Sequence, residues 1–390
     1  MNRVGILIFG ALGLLLLGAG VITYLTLRAP PPPPPPPAPP PSELPIIGDQ
    51  TPTAPPGAGT PPTPIAALPG AERPLIQAID KDIVGPTLGR DKQSLFYALR
   101  ENGHLMQADL EGRNETTLTN LTVPEVFDVA WSPLKTRAVL VYHEAGVVKK
   151  FLQQTATTSP SRFLPQALTS LAWSPDGRQM AYLLPQGGKS ALVIADQNGK
   201  NVRTVYQTPI PDFTVQWVSA NTILLVSRPS GLAPSLVLRF DLKARRTTTL
   251  LSNIAGAVLL GAPDGTGVVY SASGRGGRPE PLRLHTLKGA TTATLPVTTV
   301  AEKCAFSPDS KRLYCGVPRA TIRAVTPDEW YRGALSFVDA IVKIDLASGR
   351  AEIIGRGIPA LDVISPFLSA DEKFFFFQDK KTGTVWRVQL

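Results

Sequence analysis

Leu171-Ala172-Trp173-Ser174-Pro175-Asp176-Gly177-Arg178-Gln179-Met180-Ala181-Tyr182 is the fullest copy of a phrase that recurs along the chain. Variants stand at Val129-Ala130-Trp131-Ser132-Pro133 and at Cys304-Ala305-Phe306-Ser307-Pro308-Asp309-Ser310-Lys311-Arg312-Leu313-Tyr314. Weaker copies occur at Val215-Gln216-Trp217-Val218-Ser219, at Ala262-Pro263-Asp264-Gly265, at Leu368-Ser369-Ala370-Asp371 and at Gly89-Arg90-Asp91. The anchor positions Arg90, Pro133, Pro175, Ser219, Pro263, Pro308 and Ala370 are spaced by about 42 to 45 residues, except for a last step of about 62. Within each copy a short apolar strand runs into a Ser-Pro-Asp-Gly turn and a second strand follows. Proline presets φ there, Asp bonds its own backbone and Gly accepts positive φ.

That interval accommodates four strands, the content of one propeller blade. A third strand ends in a second turn, as at Leu192-Val193-Ile194-Ala195-Asp196 before Asn198-Gly199. A Thr- and Val-rich fourth strand follows, as at Val202 to Val205. Seven units fit Asp82 to Leu390, which predicts an all-β, seven-bladed β-propeller; a six-bladed ring is the structural rival. The last copy stops after its third strand, so Leu75 to Ala78 is expected to supply the missing outer strand and close the ring.

The Trp-Ser-Pro-Asp-Gly-Arg phrase, with its later Asp-x-x-Gly turn, resembles the WD40-like repeat of TolB-type propellers, over about four fifths of the chain. No α/β domain precedes the repeats here, unlike TolB, so the resemblance implies the propeller and not a shared ligand.

Residues 75–390 are thus the propeller, residues 29–74 a linker and residues 1–28 an anchor. Val4 to Leu27 contains no charged residue and is long enough, at about 1.5 Å per residue, to span a ~30 Å hydrocarbon core. It is read as one uncleaved transmembrane helix; a cleaved signal peptide is the alternative. Arg3 before the span and Arg28 after it lean towards a cytoplasmic N-terminus, which puts the propeller on the extracytoplasmic side of the cell membrane. Pro30 to Pro37 and Pro39 to Pro41 predict a polyproline II stalk of about 37 Å; a docking site for proline-reading domains is the alternative.

The net charge is +9, and Arg3, Arg28 and Arg73 cancel Glu43, Asp49 and Glu72, so the excess belongs to the repeats. No basic run is dense, so nucleic acid is not expected as a partner. Strand-end cations such as Lys243, Arg245 and Arg246 are read as guards against edge pairing. His104, His143 and His285 lie in different repeats without metal spacing, and no nucleophile elbow or phosphate loop is present, so no catalytic residue and no cofactor is assigned. Gly274-Arg275-Gly276-Gly277-Arg278 sits in a hairpin loop.

Cys304 and Cys315 are the two cysteines. If Asp309 and Ser310 are central in their turn, the two cysteines face each other on neighbouring strands, within reach of a disulfide. Two buried free thiols are the alternative.

The sixth repeat is also where the period breaks. Between its second and third strands, Pro318 to Gly333 adds about 16 residues that include Trp330, Tyr331 and Arg332. Thr326-Pro327-Asp328-Glu329 resembles a helix start with Thr as cap and Glu at the third helical position. Asp328, Trp330, Tyr331 and Arg332 are the candidate binding residues, being of hot-spot type. Alternatively, Trp330 and Tyr331 fold back to cover the end of the ring. The functional expectation is a non-catalytic module binding a protein or an envelope polymer; the alternative is a hydrolase or lyase with a site in the central channel.

Overall fold

The structure, a computed structural model, describes residues 68–155, 161–356 and 359–390. Residues 1–67, which hold the expected anchor and most of the linker, lie outside the described residues. No helix among the described residues is long and apolar enough to cross a membrane.

The repeats fold as seven sheets. Blades 1 to 5 are laid down in chain order from an innermost to an outermost strand, and blades 6 and 7 take their outermost strand from the segment before the repeats. Blade 3, which carries the fullest phrase, shows the pattern. Leu171–Trp173 pairs with Gln179–Gln186, that with Lys189–Asp196, and that with Arg203–Thr208, all antiparallel. First strands of blades 1 to 4 touch in succession. Gln216 Nε2 in the first strand of blade 4 donates to Leu259 O in that of blade 5 at 2.8 Å, and the turn before blade 6 touches the first strand of blade 5. The first strands of blades 6 and 7 touch, and that of blade 7 (Val363–Leu368) touches that of blade 1 (Ile83–Leu88), closing the ring. First-to-second and third-to-fourth connections therefore share one face, the turn face. Second-to-third and blade-to-blade connections share the other.

The repeated phrase acts in two ways. Its hydroxyl and carboxylate close the turn: Ser174 Oγ donates to Asp176 Oδ1 at 2.6 Å and Ser369 Oγ to Asp371 Oδ1 at 2.7 Å, while Gly177 takes φ +69°. These bonds hold the Asp371 carboxyl down at about 2, Ser369 contributing most and Lys373 next. Its tryptophan joins blades: Trp131 Nε1 donates to Gly85 O at 2.7 Å and Trp173 Nε1 to Ala130 O at 3.0 Å, each reaching the first strand of the preceding blade. Between the blades lie apolar layers, such as Met180, Tyr182, Val193 and Ala195 against Val139 and Leu152.

The outer strand that closes blade 7 is Ile76–Ile79, one residue later than expected. It runs antiparallel to Val385–Gln389. Gln378 Nε2 donates to Ile83 O at 2.5 Å, and Ile83 N–H to Gly383 O at 3.2 Å, tying blade 7 to blade 1. One strand was not foreseen. Leu68–Arg73, inside the stretch read as linker, pairs in parallel with Ala351–Gly355 as a fifth strand on blade 6. It covers an edge whose backbone groups would otherwise stand open.

Cys304 faces Cys315 across the first two strands of blade 6, and the two sulfurs are bonded.

Candidate functional site

The chain leaves the second strand of blade 6 at Pro318 and returns to the third at Asp339. In between it crosses the insertion face and makes one helical turn, Asp328–Tyr331. Thr326 does not cap that turn. Its hydroxyl donates instead to Gly277 O at 3.3 Å, and Glu329 Oε1 reaches back to accept from the Val325 N–H at 3.0 Å. Asp328 clamps the turn to blade 4, accepting from Ser230 Oγ at 2.9 Å and from the Gly231 N–H at 2.6 Å. Partial burial pushes the Asp328 carboxyl up, but the bonds from Gly231 and Ser230, with that from its own backbone N–H and the Arg332 charge, together hold the group below its ordinary value.

Trp330, only 2% exposed, points down into the ring. Its Nε1 donates to both oxygens of Asp362, at 3.2 and 3.0 Å, and its ring stacks on Phe337 with centroids 6.0 Å apart. Beneath it Lys303, fully buried, pairs with Asp339 at 2.7 Å and with Asp362. The Lys303 ammonium also lies 4.9 Å from the Trp330 ring centroid and 4.8 Å from that of Phe337. The Phe337 N–H donates to Asp362 Oδ2 at 3.0 Å, the Val363 N–H to Asp339 Oδ2 at 2.7 Å, and the Asp362 N–H to Asp379 Oδ1 at 2.8 Å. The Lys380 ammonium also lies over the indole, 4.3 Å from its centroid, and donates to Trp330 O. Burial pushes the Asp339 carboxyl up, against the pull of Lys303. Trp330 is thus the peg that fixes the insertion, and does not belong to an exposed surface.

Tyr331 is 46% exposed and its phenol faces the Glu302 carboxyl. Glu302 sits in a helical turn, Ala301–Lys303, that touches the first strands of blades 5 and 7, so the pair stands at the end of the ring's central channel. Its side chain reaches solvent yet is crowded by protein. That desolvation raises the carboxyl, while Tyr331, Lys303 and Lys380 pull it down. Desolvation likewise raises the Tyr331 phenol, with Glu302 adding to the effect. Arg332 is exposed, its Nε donating to Asp328 O at 3.3 Å. Of the four residues singled out from sequence, two therefore build the insertion (Asp328 and Trp330) and two are presented by it (Tyr331 and Arg332).

Lys303, Glu302, Asp339 and Asp362 were not singled out, because nothing in the repeat marks them. The histidines stay apart: His143 stacks on Phe127 with centroids 4.7 Å apart, and buried His285 bonds Thr292 Oγ1 at 2.9 Å. Among the described residues no three His, Cys, Asp or Glu side chains converge as a metal site.

No protein-family profile and no curated protein sequence matches the chain. Solved structures do. An oligogalacturonate lyase from Vibrio parahaemolyticus aligns at TM-score 0.58 and 10% identity, over 81% of this chain and 93% of its own. The Cps50 β-propeller domain from Myceliophteria thermophila aligns at 0.55 and 10% identity, over 81% and 99%. The chain is a seven-bladed β-propeller. TolB from Acinetobacter baumannii aligns at 0.41 and 12% identity, over 79% of this chain and 78% of its own. At 10% identity the lyase and Cps50 alignments show the fold alone.

Proposed function

We propose that the chain is a non-catalytic binding module, tethered to the cell membrane by residues 4–27 and displayed outside the cytoplasm on its proline-rich linker. The partner is held on the insertion face of blades 4 to 6. The observation that carries this reading is the division of labour in the insertion. Buried Trp330 and clamped Asp328 spend their hydrogen bonds on fixing a single helical turn, and that turn holds Tyr331 and Arg332 out to solvent. Rigid presentation of Tyr and Arg lowers the entropy lost on association and suits an interface anchor. The charge-free run Val4 to Leu27 supports the tether, and the cysteine pair supports an oxidising compartment.

The test is a photo-cross-linking amino acid placed at Tyr331, and at Asn198 on the turn face as control, in the full chain in cells. Discrete adducts from position 331 and none from 198 are expected; identical patterns from both positions refute the assignment of the face.

One observation favours a second reading, an enzyme of hydrolase or lyase type. Glu302, with its raised carboxyl and its tyrosine partner at the channel end, has the make-up of an acid–base pair. Oligogalacturonates and other envelope-type polymers incubated with the chain should stay intact. Turnover that disappears in Glu302→Gln would establish this reading over the first.

A further inference from the structure

We propose that the ligand of the insertion face is an acidic peptide segment of a protein partner, its carboxylates gripped by Arg275, Arg278 and Arg323. This rests on the binding-module reading and gives its partner a chemistry.

Three connections meet on this face through bare backbone. The Thr326 N–H donates to Gly277 O at 2.9 Å, and Ser273 Oγ donates to Thr326 O at 2.5 Å. A side chain at Gly231 would put its Cβ 2.4 Å from Thr326 O, and one at Gly277 would lie 2.7 Å from Val325 Cγ1. Loops of blades 4, 5 and 6 are thereby locked together, which ties down the backbone beneath the arginines.

Arg275, Arg278 and Arg323 line one open concavity of about 640 Å³ at this junction. The acid beside them, Glu280, is already engaged by Arg283 at 2.6 Å. None of the three guanidinium groups has a carboxylate within ion-pair distance among the described residues. Arg228, Arg319 and Arg332, all exposed, extend the charge along the same connections. Crowding cations on a fixed backbone costs free energy that an anion recovers, and the planar fork of Arg matches a carboxylate bidentately. The excess positive charge of the chain thus has a local address.

Exposed apolar side chains decide between anionic partners. Leu232 is 68% exposed beside Gly231 at the junction, and Val338, 37% exposed, accepts from the Arg319 N–H at 2.9 Å. A sugar polymer or a nucleic acid backbone offers little to an exposed leucine. A peptide mixing Glu or Asp with aliphatic residues fills both needs.

The experiment titrates the full chain with a fluorescein-labelled Glu/Asp-rich peptide containing two leucines. Its Gln/Asn counterpart, polygalacturonate and an oligothymidylate are run beside it at physiological salt. The acidic peptide should bind at least about tenfold more tightly than its amide counterpart and than either polymer. Arg275→Glu/Arg278→Glu/Arg323→Glu should bring it down to the amide level with an unchanged thermal midpoint. The milder Arg275→Gln/Arg278→Gln/Arg323→Gln set should do the same in part, and it serves if the reversed charges disturb folding. Equal binding of acidic and amide peptides, undiminished binding by the Gln set, or tighter binding of either polymer overturns the proposal. Tyr331 adducts that persist in the Arg variants, alongside failed peptide binding, would sink the acidic ligand and leave the binding module standing.

Discussion

The ammonium of Lys303 lies 2.7 Å from the Asp339 carboxylate, and neither side chain reaches water. Such a pair contributes little over a well-packed apolar substitute, but breaking it strands a buried charge. Lys303→Met should therefore cost about 3–5 kcal/mol in denaturant unfolding. Lys303→Met/Asp339→Leu should recover part of that loss. A double variant less stable than the single one would show that Asp339 holds the fold by its other bond, to the Val363 N–H.

Glu302 makes a pH-dependent contribution. With its carboxyl raised, the folded chain holds the proton more tightly than the unfolded chain does. Its stabilisation is complete below the ordinary carboxylate range and is lost as the pH climbs through the raised value. Glu302→Gln has no ionised form to desolvate. Its thermal midpoint should exceed that of the wild type at about pH 8, with the gap shrinking towards about pH 4. An equal gap at both values would refute the assignment.

Gly276 and Gly277 are adjacent and both have positive φ, +70° and +75°, but only Gly277 meets a neighbour. Alanine at either should carry the left-handed backbone cost of about 1–2 kcal/mol. At Gly277 the contact with Val325 should add about 1–3 kcal/mol of overpacking. Matched losses in chemical denaturation would mean that the three-loop junction gives way without penalty.

Removing residues 1–67 leaves every described strand in place, and the unfolding midpoint should not move. Removing residues 1–79 strips the outer strands of blades 6 and 7. Burial of Ile79 alone is worth about 1.5–3 kcal/mol, and two bared edges invite association. A lowered midpoint and oligomers on size-exclusion chromatography are expected for the second truncation only.

The ring was legible because its signals are local and repeated. Trp173, Ser174, Asp176 and Gly177 specify a turn and a contact with the preceding blade within a few residues of one another, and the copies confirm each other. The Cys304–Cys315 register followed from the turn between them. The insertion was legible as an interruption, but its direction was not. Asp328 finds Ser230 and Gly231, Thr326 finds Gly277, and Trp330 finds Asp362, all partners distant in sequence that no periodicity predicts. For the same reason Trp330 resembled a hot spot: sequence gives a tryptophan's type and leaves open which way it turns. Arg275, Arg278 and Arg323 looked dispersed because two loops far apart in the chain bring them to one concavity.

The parallel strand Leu68–Arg73 also has a mechanical consequence. A pull transmitted through residue 67 meets blade 6 first, along Ala351–Gly355, and reaches the closing strand Ile76–Ile79 only after that pairing has failed. Load and ring closure are thereby carried by separate blades, so that tension on the N-terminal segment is met by the outer edge of blade 6 before it can unlatch the circle.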